Sequence, residues 1–447
     1  MVAGAYYQQA TGHQGVPLNN REFSRAQRQL LTVFDEPTIV EAAKASGFTQ
    51  RIRTITPMRL VLAVLVALGT RKTETIADIV RTFNLLAETN VAYKPFHKQL
   101  AKEPFGTFMQ HIASHVINTV YARTLRAVPR SALARFSDIV IQDGSSFALH
   151  RALRDVYPGR FKKKGPAAAE LHATMSVFYD DVISVSVAPD TQGERDFLPS
   201  PEQLRGCLLL ADRGYQDIDY CADVAQAGGA LIIRHQLQIN PTLTQCFVQG
   251  RRIRRFAGRR LHDVLKTFRG SNVDLDGFWT RKGGRRVALR VLLLWDPKAK
   301  RHMVLVTNLP REDFDAKLVH TLYRIRWQVE LMFKEWKSYA NLHSFTTTKA
   351  PIAEGLIWGS LAAAILKRFL AHTAQRWLPN VETSTLRVAR CIGEPLRELL
   401  VAIAEHRPVA EPLRRLLRFL SDEARRAHPT RDRHKGRLLA GLQPVHA

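Results

Sequence analysis

The chain has 447 residues and a formal charge of +26, from 66 lysines and arginines against 40 aspartates and glutamates. Its 45% hydrophobic content excludes wholesale disorder, and its length suits about two to four domains with a sizeable core. So much positive charge on a folded chain implies a polyanionic partner. Nucleic acid comes first and an anionic membrane second; a purely structural nucleic-acid binder also fits the charge.

Residues 1–20 read as a flexible leader without a signal-peptide pattern. From about Phe23 to Val128 the pattern is helical, with turn signals at GFTQ and GTRKTET, so residues 1–130 form a helical N-terminal region. Within it, Thr73 to Phe83 followed by NLLAETNVAYKPFHKQL fits a helix-turn-helix or a plain bundle. After Pro129 the character changes. DIVIQD (Asp138 to Asp143) is a short β-branched run, and ELHATMSVFYDD and ISVSVAP read as two strands joined at Asp180–Asp181. GERDFLPSPEQL reads as a helical connection. CLLLADRGY is a buried strand ending at Asp212, and ALIIRH (Ala230 to His235) is a fifth. Residues 131–235 thus predict an α/β core, a mixed sheet with helices against it.

Residues 236–311 read as a β-rich insertion with basic turns, and residues 312–372 return to helix. The last segment, 373–447, is helical at first, then basic and frayed. Four scattered cysteines (Cys207, Cys221, Cys246, Cys391) show no CxxC spacing, which argues against a zinc site and for a reducing compartment. The apolar runs near Leu60–Leu68 and Leu356–Leu366 are too short to span a bilayer and read as buried helices, so no membrane is expected.

The segment YRIRWQVELMFKEWK, Tyr323 to Lys337, is the most informative part of the chain. At about 100° per residue, Tyr323, Arg326, Glu330 and Lys337 fall within an arc of roughly 60° on one helical face. Leu322, Ile325, Val329, Met332, Phe333 and Trp336 fill the adjoining, core-facing sector. A lone carboxylate then sits among a tyrosine and two cations. A solvated Glu–Arg pair is the plainer reading of such spacing.

Two upstream aspartates change the odds. Asp143 and Asp212 each follow an apolar run, and each is expected at or just past a strand's C-terminal end, where open α/β sheets place ligands. Taken alone, either would be turn chemistry. Together with a helix-borne glutamate they form a set of three carboxylates whose mutual repulsion divalent cations relieve. Mg²⁺ or Mn²⁺ prefers such oxygen ligands. Two ions about 4 Å apart activate an attacking oxygen and stabilise a leaving one, so the site would cut or join nucleic-acid strands.

These motifs carry a resemblance. DGSSF, ADRGY and the Tyr-x2-Arg-x3-Glu-x6-Lys spacing resemble the DDE transposases of bacterial insertion sequences, in the branch with a Tyr-Arg-Glu-Lys signature and a β-strand insertion before the last carboxylate. The similarity covers roughly residues 135–345. It implies a ribonuclease H-like fold, with Asp143, Asp212 and Glu330 as catalytic metal ligands for two Mg²⁺ or Mn²⁺ ions. Tyr323, Arg326 and Lys337 would hold phosphates near the cut end. Met303 occupies the position nearest to a residue that holds a flipped base in hairpin-forming relatives, some of which carry tryptophan there; an ordinary strand residue is the plainer reading of this methionine.

Outside the motifs, Arg160, Lys162, Lys163 and Lys164 fall in a Gly/Pro-bounded loop suited to DNA backbone, or simply to solvent. The run Arg251, Arg252, Arg254, Arg255, Arg259 and Arg260 suits phosphate contact for some of its members. His172 reads as a core histidine rather than a ligand. The resulting expectation is a cut-and-paste transposase in the bacterial cytoplasm, on the nucleoid. It acts as a homodimer on double-stranded DNA, namely paired terminal inverted repeats and then target DNA. A two-metal nuclease that only hydrolyses, or a catalytically inactive DNA-binding relative, are the alternatives.

Overall fold

The computed structural model describes residues 18–70, 73, 75–236, 238–342, 345–378, 382–426 and 441–445. Most of the expected leader and the basic stretch 427–440 lie outside the described residues. The chain divides into two compact units, one of residues 1–121 and 335–429, the other of 122–334 and 430–445. The five segments read from the sequence are grouped by contacts into these two.

The first unit opens with six helices: α1 (Asn20–Val33), α2 (Glu36–Ala45), α3 (Pro57–Thr70), α4 (Ile76–Ala87), α5 (Tyr93–Leu100) and α6 (Pro104–Thr119). Their starts are written in the sequence. Asn19 accepts the Glu22 N–H, Asp35 caps α2 with Pro37 in its first turn, and Thr75 forms a capping box with Asp78. The apolar run of α3 is buried nearly all round, as a core helix requires.

The second unit carries strands β1 (Leu125–Ala127), β2 (Asp138–Ala148), β3 (Pro158–Phe161), β4 (Gly165–Ser176), β5 (Asp181–Pro189) and β6 (Cys207–Ala211). Helix α7 (Ile218–Gln226) then crosses to β7 (Ala230–His235). Next come β8 (Thr242–Val248), β9 (Arg251–Arg252), the short α8 (Leu261–Val264), β10 (Val273–Thr280), β11 (Arg286–Asp296) and β12 (Arg301–Thr307). β13 (Leu442–Pro444), which no sequence pattern announced, pairs with β1. The remaining strands form one 11-stranded sheet, in the order β3-β4-β2-β6-β7-β12-β11-β10-β8-β9 with β5 on β4. β2, β6 and β7 are parallel and their other neighbours antiparallel, so the expected mixed α/β sheet is present.

Several local expectations change. GERDFLPSPEQL folds as two 3-10 turns, Glu194–Phe197 and Pro201–Leu204, rather than a helix. Residues 158–164 are not a plain loop, because Pro158–Phe161 is a strand paired with β4 and only Lys162–Lys164 form its turn. The β-rich stretch extends the same sheet, with β12 laid antiparallel on β7. One apolar cluster runs from Val140, Leu209 and Ile233 through Val304 to Leu275 and Val291, with Ile218, Cys221 and Val224 of α7 packed on it. Arg290, nearly fully buried, is held by Asp274 at 2.7 Å, and Arg311 forks onto Asp274 and Asp276. That network ties the chain after β12 back to β10.

His235, at the end of β7, is 5% exposed, and neither ring nitrogen has a hydrogen-bond partner among the described residues. Burial, aided by Arg195, pushes its pKa down from 6.5 to about 4. The folded state then keeps it neutral where the unfolded chain is charged, so stability is lost as pH falls from about 6.5 towards 4. We expect His235→Leu to narrow the loss of stability between pH 7 and pH 5 by about 2 kcal/mol. Urea denaturation at both pH values measures it.

The chain leaves the second unit through α9 (Ala316–Ile325), capped by Asp315, and α10 (Trp327–Tyr339), whose last turns belong to the first unit. The first unit closes with α11 (Ala350–Trp377), α12 (Thr385–Cys391), α13 (Gly393–Ala404) and α14 (Ala410–Glu423). The run near Leu356–Leu366 is not short after all. It lies in a 28-residue helix, long and apolar enough to cross a bilayer, but 89% of its apolar window is buried inside the protein. Of its buried charges, Arg368 pairs with Glu335 at 3.2 Å and Arg376 with Glu22 at 2.9 Å, while Lys367 donates to the Tyr339 carbonyl at 3.0 Å. Partnered charges and an apolar window buried by the protein suit the centre of a helical bundle.

Candidate active site

Strand alternation places the acidic residues. Along β6, Leu209 and Ala211 face the α7 side, so Asp212 continues the opposite face; along β2, Val140 faces α7 and Asp143 does not. β2 and β6 pair in parallel up to Gln142 and Ala211, so Asp143 and Asp212 are the next residues in register, about one strand spacing apart. Asp212 follows the end of its strand, as expected. Asp143 does not end a strand: β2 runs on to Ala148, paired with β4. The turn reading of Asp143–Gly144 is replaced by a mid-strand position.

The signature segment is also not one unbroken helix. α9 ends at Ile325 and α10 begins at Trp327, with Arg326 between them donating its backbone N–H to the Tyr323 carbonyl, a tighter i−3 bond. The expected core sector holds: Leu322, Ile325, Val329, Met332, Phe333 and Trp336 are all buried. That anchor sets the polar residues against the sheet.

Arg326 is the hub. Its guanidinium donates to Asp143 and, at 2.5 Å, to Glu330. The Tyr323 hydroxyl donates to Asp212 Oδ1 at 3.2 Å, and the Arg326 guanidinium lies 5.8 Å from the Tyr323 ring. Burial pushes the Asp143 carboxyl up to about 6; Arg326 opposes this, while Asp212 and Glu330 add to it. Burial, then the charge of Asp212, raises the Tyr323 phenol well above its usual range. Asp143, Asp212, Glu330, Tyr323 and Arg326 are thus brought together within the second unit.

The donor set is oxygen only, which fits a hard divalent cation and no soft one. As the side chains lie, the Arg326 guanidinium stands between Asp143 and Glu330. Among the described residues no three potential ligands stand close enough to hold one ion.

Lys337 is half-buried, on the part of α10 that belongs to the first unit. Met303 is half-buried on β12, opposite Leu294. Lys162, Lys163 and Lys164 are exposed at the β3–β4 turn. Arg160 is engaged within the protein, with Glu170 at 3.3 Å and the Asp190 carbonyl at 3.0 Å. The arginine run from Arg251 to Arg260 is exposed and makes no ion pair among the described residues. The sequence reading missed Arg234, whose guanidinium lies 3.8 Å from Asp212. Its one signal was a charge inside the apolar strand ALIIRH.

The basic chain thus brings two carboxylates onto one arginine beside a mixed sheet. The sequence signature described as Transposase DDE domain matches residues 134–366, more than half of the chain, and the protein belongs to that family of DNA-cleaving and strand-transferring enzymes. The chain is 21% identical over 412 residues to a transposase for insertion sequence element IS1151 of Clostridium perfringens, covering 84% of this chain and 86% of that one. It is 23% identical over 364 residues to a transposase for insertion sequence element IS231C of Bacillus thuringiensis subsp. berliner, covering 73% and 75%. A cryo-EM structure of a piggyBac transposase synaptic complex with hairpin DNA aligns at 13% identity and a TM-score of 0.45, over 91% of this chain and 86% of that one.

Proposed function

We propose that the protein moves its own insertion sequence by cut-and-paste chemistry, with Asp143, Asp212 and Glu330 holding two Mg²⁺ or Mn²⁺ ions. The observation that carries this is the convergence of Asp143 and Glu330 on Arg326, and of Asp212 on Tyr323, beside two parallel strands. The sheet is read as ribonuclease H-like, residues 236–311 as its insertion, and the signature as that of the Tyr-Arg-Glu-Lys branch. The ions would activate the attacking oxygen and stabilise the leaving oxygen of a phosphodiester.

The chain's own residues do the rest. Arg326 swings from its carboxylates to a phosphate of the DNA end, a bidentate contact, and so frees the ligands it now neutralises. Tyr323 keeps Asp212 oriented, and Lys337 adds a point charge for phosphate. Lys162, Lys163 and Lys164 reach DNA backbone from an exposed turn, with Arg160 stiffening its base. Met303 lines the place of a flipped base if a hairpin forms. The helices within residues 1–130 recognise terminal inverted repeats, and a homodimer on two paired ends attacks target double-stranded DNA in the bacterial cytoplasm.

Pre-cut ends bearing a free 3′-hydroxyl test the reading. Incubated with Mg²⁺ and a target duplex, they are expected to give joined products. Hydrolysis without joining would reduce the protein to a nuclease. Salt-sensitive binding with no cleavage at all would make it an inactive DNA-binding relative.

A further inference from the structure

The sheet face opposite the carboxylates carries a second polar cluster that the proposed chemistry does not use. Gln142, Gly144 and Ser146 of β2 lie there beside Thr174, His172 and Glu170 of β4. The Tyr215 hydroxyl and His172 Nδ1 are hydrogen-bonded at 3.1 Å, and His172 stacks on Phe197 with ring centroids 3.8 Å apart. Both Tyr215 and His172 are buried. Gly144 leaves the room they need. A Cβ there would lie 2.7 Å from Glu170 Oε1, 3.2 Å from the Tyr215 hydroxyl and 3.3 Å from His172 Nδ1. Burial, then Arg160, pushes the His172 pKa down to about 4, so the ring is neutral at physiological pH.

The connectivity gives the contact its meaning. Tyr215 ends the 3-10 turn that begins at Asp212, and its N–H donates to the Asp212 carbonyl at 3.1 Å. His172 pairs with Gly144, the residue after Asp143. The β2–β6 ladder stops at Gln142 and Ala211, one residue before either aspartate. Beyond that point no backbone pairing between the two strands fixes the spacing of two carboxylates that repel each other. The Tyr215–His172 bond spans that gap from the other side of the sheet.

We propose that Tyr215 and His172 are positioning residues of the catalytic site, bracing the Asp212 turn against the Asp143 strand so that both carboxylates are held for divalent ions. The assignment rests on the two-ion reading above. Acting through the backbone of the two strands, the brace is expected to change metal affinity by about tenfold, the low end of what supporting residues contribute.

The full-length chain is compared with Tyr215→Phe, His172→Leu and His172→Asn, which keeps a polar group near the Nδ1 position. Mn²⁺ binding is followed by electron paramagnetic resonance, and nicking of end DNA is titrated with Mn²⁺. Tyr215→Phe and His172→Leu are expected to raise both metal midpoints about tenfold, with end-DNA affinity unchanged. His172→Asn is expected to stay within about threefold of the unaltered chain. A lowered melting temperature with unshifted midpoints would make the pair merely structural and overturn the brace. If His172→Leu does not fold, Tyr215→Phe, which removes a single oxygen, decides alone. Metal-independent or absent cleavage by the unaltered chain overturns the two-ion reading and the brace with it. Metal-dependent cleavage with unshifted variants overturns the brace only.

Discussion

Asp143→Asn and Glu330→Gln are each expected to bind transposon-end DNA like the unaltered protein and to lose Mg²⁺-dependent nicking by about 1,000-fold. That is about 4 kcal/mol of transition-state stabilisation. An amide keeps the size of the side chain but is a far poorer ligand for a hard cation than a carboxylate. The fold should tolerate either change, because Arg326 keeps one partner in each case: Glu330 when Asp143 is altered, Asp143 when Glu330 is. Melting curves, gel-shift affinity and nicking rates on one preparation separate the effects. Full nicking by either variant would remove that residue from its role.

Arg326→Gln should move three readouts in different directions. The guanidinium neutralises two carboxylates, and both it and Asp143 have side chains only 13% exposed. Removing it leaves Asp143, Asp212 and Glu330 to repel, so the metal-free protein is expected to lose about 3 kcal/mol of stability, the more exposed Glu330 contributing least. Added Mg²⁺ should then raise the melting temperature more than it does for the unaltered chain, because the ion no longer competes with an internal cation. Nicking should still fall, about 100-fold, through loss of the bidentate phosphate contact. A variant that is less stable but responds to Mg²⁺ no more than the unaltered chain would contradict the placeholder role of Arg326.

Two glycines beside the aspartates explain part of what the motifs encode. Gly144 is followed by strand, not turn, and its missing side chain makes space for Tyr215, His172 and Glu170. Gly214 leaves room for the Glu194 carboxylate, which a Cβ there would meet at 1.4 Å. Neither reason was visible in DGSSF or ADRGY, because each depends on a residue from a distant segment. Glu170, in the same cluster, was likewise invisible. Burial, followed by repulsion from Glu194, pushes its pKa up to about 7, against the opposing charge of Arg160. Within the strand ELHATMS it reads as one more polar residue.

The sequence alone determined the mixed sheet and the apolar anchor of the signature segment, and it singled out Asp143, Asp212, Glu330, Tyr323 and Arg326 as candidates. Those follow from residue periodicity and from which side chains bear charge, both local properties. Only the tertiary structure decided that Asp143 lies within a strand, that the signature helix breaks at Arg326, and that Arg326 sits between two carboxylates. It also decided that β13 returns to pair with β1, and that the β-rich stretch prolongs the core sheet. Strand length, register and ion pairing are fixed by neighbours hundreds of residues away: Arg326 reaches Asp143 across 183 positions. No window along the chain contains both ends of such a contact.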